Sequence, residues 1–367
     1  MQMNRYNSFS ARTMLLIACL GVGGYSSSAI GAPAAASAIP APNEIKAPEQ
    51  KNLVVQGASP VPNIGYLPLY VGQKMGFFDQ EGLNVEINYS HGDSVTIQAI
   101  NTGQAQVMSG TPEALIHSYE KGLNGVLFYQ IYRSLIYSVA VPGGGKISSP
   151  ANLAGKTIGV SSMGSTGLII AKIVAKDAGI DPASLKFLPV GTGQRAISAL
   201  KEGQVDALSL WDAAYAQIET AAPDMKLTYW RPPSLSKVGD GGYFTTWDTI
   251  QKMPNALAHF TRAIQKSLEA IHDNPTQALD VYWQVNPSAK PKGSEAEAHK
   301  IGLKELEVLG RSFDMSGVPS EIDVPSLDAY IKTFLDQGLI TKAPPIEEFV
   351  TNRFLPIAQA AARERAK

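Results

Sequence analysis

The hydrophobic pattern of the chain switches repeatedly between a period of two and a period near 3.6, the mark of alternating strands and helices. Residues 52–56 alternate and carry β-branched side chains, predicting a strand, and Gly57, Pro60 and Pro62 then force an irregular loop. From Tyr66 the apolar positions fall at Leu67, Tyr70, Val71 and Met75, with Phe77 and Phe78 beyond Gly76, a helical spacing with one face to bury. Gly82 breaks that pattern before Leu83, Val85 and Ile87 resume the period of two. Residues 52–87 therefore make one complete α/β unit.

The pattern continues. Residues 94–102 carry Val95, Ile97, Ala99 and Ile100 as a short helix, with Asp93 placed either to cap it or to touch a ligand. Residues 106–109 form a short strand ending in Gly110, Thr111 and Pro112, with Pro112 suited to the first position of a helix over 113–121 and Thr111 as its cap. Three strand-to-helix loops, 59–63, 92–94 and 110–111, thus gather at one sheet edge, where open α/β sheets bind ligands. They nominate Ser59, Asn63, Asp93 and Thr111. Strands are predicted over 126–130 and 135–141, and Arg133 between them is either a surface salt-bridge partner or a cation for an anionic ligand.

Pro142 and the three glycines after it mark a break, read as the first crossing into a second lobe. A second α/β series follows: a strand over 156–160, then SSMGSTG over 161–167 opening a long helix to about residue 178. That order places backbone amides and hydroxyls at a positive helix end, which serves as an anion site or as plain capping. After a strand over 185–190, GTGQRA starts a short helix, and the next strand ends in Trp211 and Asp212. The piece matches G-x-G-x-x-A with an acid about twenty residues on, but the helix is too short for a dinucleotide crossover. Residues 239–242 loosen the chain before a strand over 243–247, the return crossing. Residues 255–273 put Leu257, Phe260, Ile264, Leu268 and Ile271 on one helical face, and helices over 276–285, 295–309, 326–337 and 345–361 are expected to wrap the first lobe.

A chain of 367 residues with 44% hydrophobic content is too long for one core and sufficient for two of about 100–150 residues each. Thirty-one basic against 32 acidic residues leave a net charge of −1, which excludes a nucleic-acid or other polyanion partner. Residues 1–38 carry Arg5 and Arg12, a short apolar run over 14–22 and then small residues, the build of a secretory signal peptide. Cys19 after Leu16, Ile17 and Ala18 resembles a lipoprotein cleavage box, with cleavage near Ala32 or Ala38 as the alternative. Residues 39–51 are expected as a flexible linker. One cysteine permits no internal disulfide and no thiolate cluster, and the five histidines lack zinc-binding spacing. Neither a G-x-S-x-G elbow nor a P-loop is present, so the chain is read as a non-enzyme with no cofactor and no metal.

The segments GYLPLYVGQKMGFFDQEGLNVEI, from Gly65, and GTGQRAISALKEGQVDALSLWDAAYA, from Gly191, resemble solute-binding proteins of ABC importers of the nitrate, sulfonate and taurine type. That group also covers thiamine-precursor binders, and the resemblance runs on to NRFLPIA at 352–358. It implies an α/β, two-lobed type II periplasmic binding protein with two crossover hinge segments and extra C-terminal helices. Lobe 1 would be 52–141 and 243–367, and lobe 2 142–242. It further implies a periplasmic monomer working with a permease and separate ATPase subunits. Ser165, Thr166 and Gly193 would be ligand donors from the second lobe, and Asp212 a cleft acid, although Ala213 stands where the family often has proline. The ligand would be a small anion (sulfonate, nitrate, taurine or aromatic carboxylate) held by helix amides and Arg133, with Tyr66, Tyr129 and Trp211 along its tail. A neutral pyrimidine between Asp93 and Asp212 is the alternative. The related enzymes that make thiamine pyrimidine carry a cysteine cluster that this chain lacks. Thr111 and Thr166 are expected to face each other across a closing cleft.

Overall fold

The structure, a computed structural model, describes residues 37–236 and 241–365; the signal peptide expected over 1–38, all but its last two residues, and Cys19 lie outside the described residues. Two five-stranded mixed sheets form its frame. In the first, β1 (Asn52–Gly57) pairs in parallel with β2 (Asn84–Tyr89) and with β3 (Val107–Gly110). The order is completed by β4 (Val126–Gln130), which does not touch β3, because a strand returning from the second lobe lies antiparallel between the two. The second sheet holds β5 (Tyr137–Pro142), β6 (Thr157–Val160), β7 (Lys186–Pro189), β8 (Ala207–Trp211) and β9 (Leu227–Trp230) in the order β7-β6-β8-β5-β9. The returning strand is β10 (Gly242–Thr245). Its packing demands a bare backbone at Gly242, where a Cβ would sit 2.1 Å from the Tyr129 carbonyl oxygen.

Helices α1 (Leu67–Lys74), α2 (Phe77–Gln80), α3 (Asp93–Asn101) and α4 (Pro112–Ser118) serve the first sheet. Helices α5 (Thr166–Asp177), α6 (Gln194–Lys201) and α7 (Asp212–Ala221) serve the second. Beyond β10 the chain is helical: α8 (Trp247–Lys252), α9 (Pro254–Asp273), α10 (Pro275–Val285), α11 (Glu295–Leu309), α12 (Val324–Asp336), α13 (Ile346–Phe349) and α14 (Leu355–Arg365). The apolar stripe read on α9 is buried against α1, α2 and α14. Phe260 is its hub, stacked on Phe78 at 5.7 Å and edge-on to Tyr243 at 5.2 Å. Burial of such a ring contributes roughly 1.5–3 kcal/mol before entropy.

Three expectations differ from the structure. Strand β5, assigned to the first lobe, is hydrogen-bonded between β8 and β9 in the second sheet, so the chain crosses at residues 131–136 rather than at the glycine run. That run is a turn inside the second lobe, with Gly143 N bonded to the Lys226 carbonyl at 2.5 Å. The crossing was hidden because residues 126–141 are apolar almost throughout, with no glycine or proline to mark the change of sheet. Residues 39–51, expected as a flexible linker, lie on the first lobe: Ile39 and Ile45 pack on the core. Glu49 accepts bonds from the amides of Asn255 (3.1 Å) and Ala256 (2.9 Å) at the start of α9, which has no side-chain cap of its own. Finally, α11 packs on α7 of the second lobe instead of only wrapping the first.

Candidate functional site

The carboxyl ends of β1 and β3 and the loop before α3 meet the second lobe around a cavity of about 50 Å³, space for a few waters at ~10–15 Å³ each. Its walls include Ser59, Asn63, Tyr66, Asp93 and Thr111 from the first lobe, Tyr132 and Ile136 from the crossing, Tyr137 from the start of β5, and Trp211 from the end of β8. Among the described residues, no Lys, Arg or His lines it.

Local sequence explains the first-lobe wall. Gly57 ends β1 because a Cβ there would lie 2.8 Å from the Tyr66 ring, which crosses the strand end. The Tyr66 hydroxyl accepts from the Ser59 amide at 2.9 Å, pinning the proline-bounded loop. Asn63 Oδ1 accepts from the Gly65 amide at 2.9 Å and starts the single turn that leads into α1. Tyr132 closes this side by donating its hydroxyl to the Gly65 carbonyl at 3.2 Å. Tyr137 and Trp211 lie with ring centroids 6.0 Å apart on the opposite side.

A polar seam joins the lobes beside the cavity. Thr111 and Thr166 hydroxyls are 3.2 Å apart, and Asp93 Oδ2 accepts from the Thr166 amide (3.2 Å) and hydroxyl (3.0 Å). Ser162 donates its hydroxyl to the His91 carbonyl at 2.7 Å. Asp93 therefore does not cap its own helix: Gly92, at φ 121°, occupies the cap position of α3 and no side chain caps it. The carboxylate instead serves the first amide of α5, whose own cap residue Ser165 makes no such bond. Burial pushes the Asp93 carboxyl up to about 6, the Thr166 bonds pull the other way, and the nearby Glu113 charge adds to the rise.

Residues 63–278 match the NMT1/THI5 like family. The chain belongs to that family. It is similar to the riboflavin-binding protein RibY of Chloroflexus aurantiacus, 22% identical over 332 residues covering 88% of this chain and 91% of the relative. It is also similar to a 4-amino-5-hydroxymethyl-2-methylpyrimidine phosphate synthase of Uromyces fabae, 26% identical over 243 residues, 61% of this chain and 68% of the relative. Among solved structures, the alkanesulfonate-binding protein SsuA of Xanthomonas axonopodis pv. citri, bound to MOPS, superposes with a TM-score of 0.59 at 14% identity, covering 83% of this chain and 99% of the other. The fold is that of the periplasmic binding proteins, α/β with two lobes joined by two crossings.

On this NMT1/THI5-like frame the remaining candidates fall elsewhere. Arg133 is paired with Asp314 and bonded to Ser316 Oγ at 3.3 Å, half-exposed outside the cavity, so the salt-bridge alternative holds. Gly193, at φ 56°, opens α6 and is not on the cavity wall. Asp212 is buried beside Trp211 but turned from the cavity, gripped by Arg231 (2.7 and 2.9 Å) and by Ser312 Oγ (2.8 Å). Burial raises its carboxyl against the pull of Arg231. Tyr129 is buried behind the wall and bonded to Gln265 at 2.6 Å. Ser165 is buried with its hydroxyl unpartnered, on a different pocket. Tyr132, Tyr137, Arg231 and Ser312 were missed; the two tyrosines flank the crossing that carried no punctuation. Asp280, Glu295 and His299 lie together on α10 and α11, and His299 Nε2 is 2.9 Å from Asp280. Among the described residues no helix is long and apolar enough to cross a membrane.

Proposed function

We propose that the protein is the extracytoplasmic solute-binding component of an ABC importer, taking an aromatic nitrogen heterocycle that offers an N–H or a positive charge to Asp93. The observation that carries this is a buried carboxylate on an aromatic-walled cavity with no basic residue on the wall. The two bonds from Thr166 leave that carboxylate without a cation, so an anionic ligand would face it without a counter-charge. The sulfonate, nitrate, taurine and aromatic carboxylate classes depended on Arg133, which Asp314 holds. The names of the two relatives, one riboflavin-binding and one a pyrimidine phosphate synthase, favour the same ring chemistry.

Ring-sized ligands need more room than the cavity offers, since small-molecule sites span roughly 300–1,000 Å³. Binding then proceeds from an opened form. Ligand stacks on Tyr66 and Trp211, its donor meets Asp93, and closure restores the Thr166 contacts, shifting the population toward the form a permease recognises. The protein works in the periplasm as a monomer with separate permease and ATPase chains. It delivers its ligand unchanged, because the wall pairs no nucleophile with a histidine or lysine base.

A thermal-shift screen tests this, since binding to the folded form alone raises Tm. Pyrimidines and flavins are expected to raise Tm, and nitrate and alkanesulfonates to leave it unchanged; the reverse pattern overturns the proposal. Mass spectrometry is expected to recover the bound compound unaltered, whereas turnover would indicate an enzyme.

A further inference from the structure

We infer that the cleft between α7 and α11 is a second binding site, for a small organic ammonium compound with an apolar body. It shares no wall residue with the central cavity and stands whatever that cavity takes. The cleft holds about 870 Å³, within the roughly 300–1,000 Å³ usual for small-molecule sites. Ala216 and Pro223 line it from the second lobe, and Ile301, Leu303 and Val308 from α11, with Leu303 left exposed. The two helices are packed together, and Ser312, just beyond α11, donates to Asp212 at the start of α7 at 2.8 Å. The walls are therefore a fixed pair of helices rather than loops.

Glu305 supplies the polar anchor. It is 5% exposed and lines the cleft. No hydrogen bond or ion pair among the described residues engages it, and burial alone acts on its carboxyl, which is pushed up to about 7. Its oxygens are nonetheless not sealed in the core, for they keep accessible surface. A buried carboxyl with no donor is costly, so a lone one on an apolar wall marks a place where a donor binds. An ammonium group brings donors and counter-charge together, while its hydrocarbon part covers the apolar wall. The other charged groups around the cleft are committed or stand in water. Glu219 of α7 accepts from the Tyr229 hydroxyl, Glu297 accepts from the Ser294 amide at 2.9 Å, and Lys304 pairs with Glu307 at 2.8 Å. Lys292 and Lys300 are exposed on the rim, where solvent screens them. Tyr282 of α10 feels the Glu305 charge, and burial keeps its hydroxyl protonated.

The test is calorimetric titration of the full chain with hexylamine, which is a cation below about pH 9, with hexanoate and hexanol as parallel arms. Saturable binding of hexylammonium at pH 8 is expected, tighter than that of either parallel compound. Affinity should rise about tenfold from pH 6 to pH 8 as the Glu305 carboxyl ionises. Glu305→Gln should weaken binding at least about tenfold at pH 8 and flatten that rise, in a chain whose unliganded Tm is no lower, an outcome that lost folding would not give. Leu303→Ser, at an exposed position, should weaken it several-fold. No saturable binding, equal binding of hexanoate or hexanol, or binding that survives Glu305→Gln, whether or not Asp93→Asn removes it, overturns the inference.

Discussion

Glu81 and Asp93 are both buried acids of the first lobe, and their surroundings treat them oppositely. Glu81, behind the sheet, receives His259 Nδ1 at 2.8 Å, Arg262 Nε at 3.0 Å and Lys266 Nζ at 2.5 Å, three side chains one turn apart on α9. Burial works to raise its carboxyl, but the His259 and Lys266 bonds and the Arg262 charge overcome it and hold it at about 2. Asp93, on the cavity, meets two donors from Thr166 and no cation, and burial prevails. The framework acid is fully paired and fastens α9 to the end of α2, with Arg262 reaching on to Glu364 of α14. The cleft acid keeps unspent hydrogen-bonding capacity, which is what recognition requires.

Breaking the paired side should have the largest effect. Glu81→Gln takes the carboxylate from His259 and Lys266 and leaves Arg262 only Glu364, and a loss of about 3–5 kcal/mol in urea unfolding at pH 7 is expected. In the unsubstituted protein the depressed carboxyl contributes stability above about pH 4.5 that is lost as pH falls toward 2. Glu305, buried on α11 with nothing but burial acting on it, is pushed up to about 7 and tests the unpaired side outside the cavity. Its raised value means stability declines as pH rises from about 4.5 to 7, so Glu305→Gln should gain up to roughly 3 kcal/mol at pH 8 and little at pH 4, read as Tm against pH. Asp93→Asn should weaken the heterocycle found by screening by about 2 kcal/mol. Calorimetric Kd for the unsubstituted protein should rise as pH drops through about 6, and the variant should lose that dependence. Arg133→Gln, removing the half-exposed partner of the buried Asp314 away from the cavity, should change Kd less than twofold and cost about 1 kcal/mol of stability, because Asp314 keeps its bonds from Ser316.

Local rules exposed the parts of the site that depend on neighbours in sequence. Ser59, Asn63 and Thr111 follow from where strands end and glycines and prolines begin, and those ends do converge on the cavity. Thr166 was legible as the opening of a helix. What stayed hidden depends on distant partners: Asp93 reads as a cap for its own helix, yet its hydrogen bonds run to residue 166. For Arg133 the salt-bridge reading was open from the start, but its partner Asp314 could not be named because it lies far along the chain. Glu49 sits in a segment whose composition suggests a tether, and only the uncapped start of α9 gives it a role. The crossing at 131–136 was missed because the strands on either side share one apolar character, and Tyr132 and Tyr137 were lost with it.

The insertion of β10 between β3 and β4 has a consequence for assembly. The second sheet is built from one uninterrupted stretch of chain, so it can condense as soon as that stretch is available. The first sheet cannot: until Gly242 arrives, β3 and β4 flank an open slot, and each presents unsatisfied amides and carbonyls that invite the wrong neighbour. Filling that slot requires a contact of long sequence separation, the slow kind. The first lobe is thus the last to mature, and the edges that flank its final strand are where a chaperone would have most to protect.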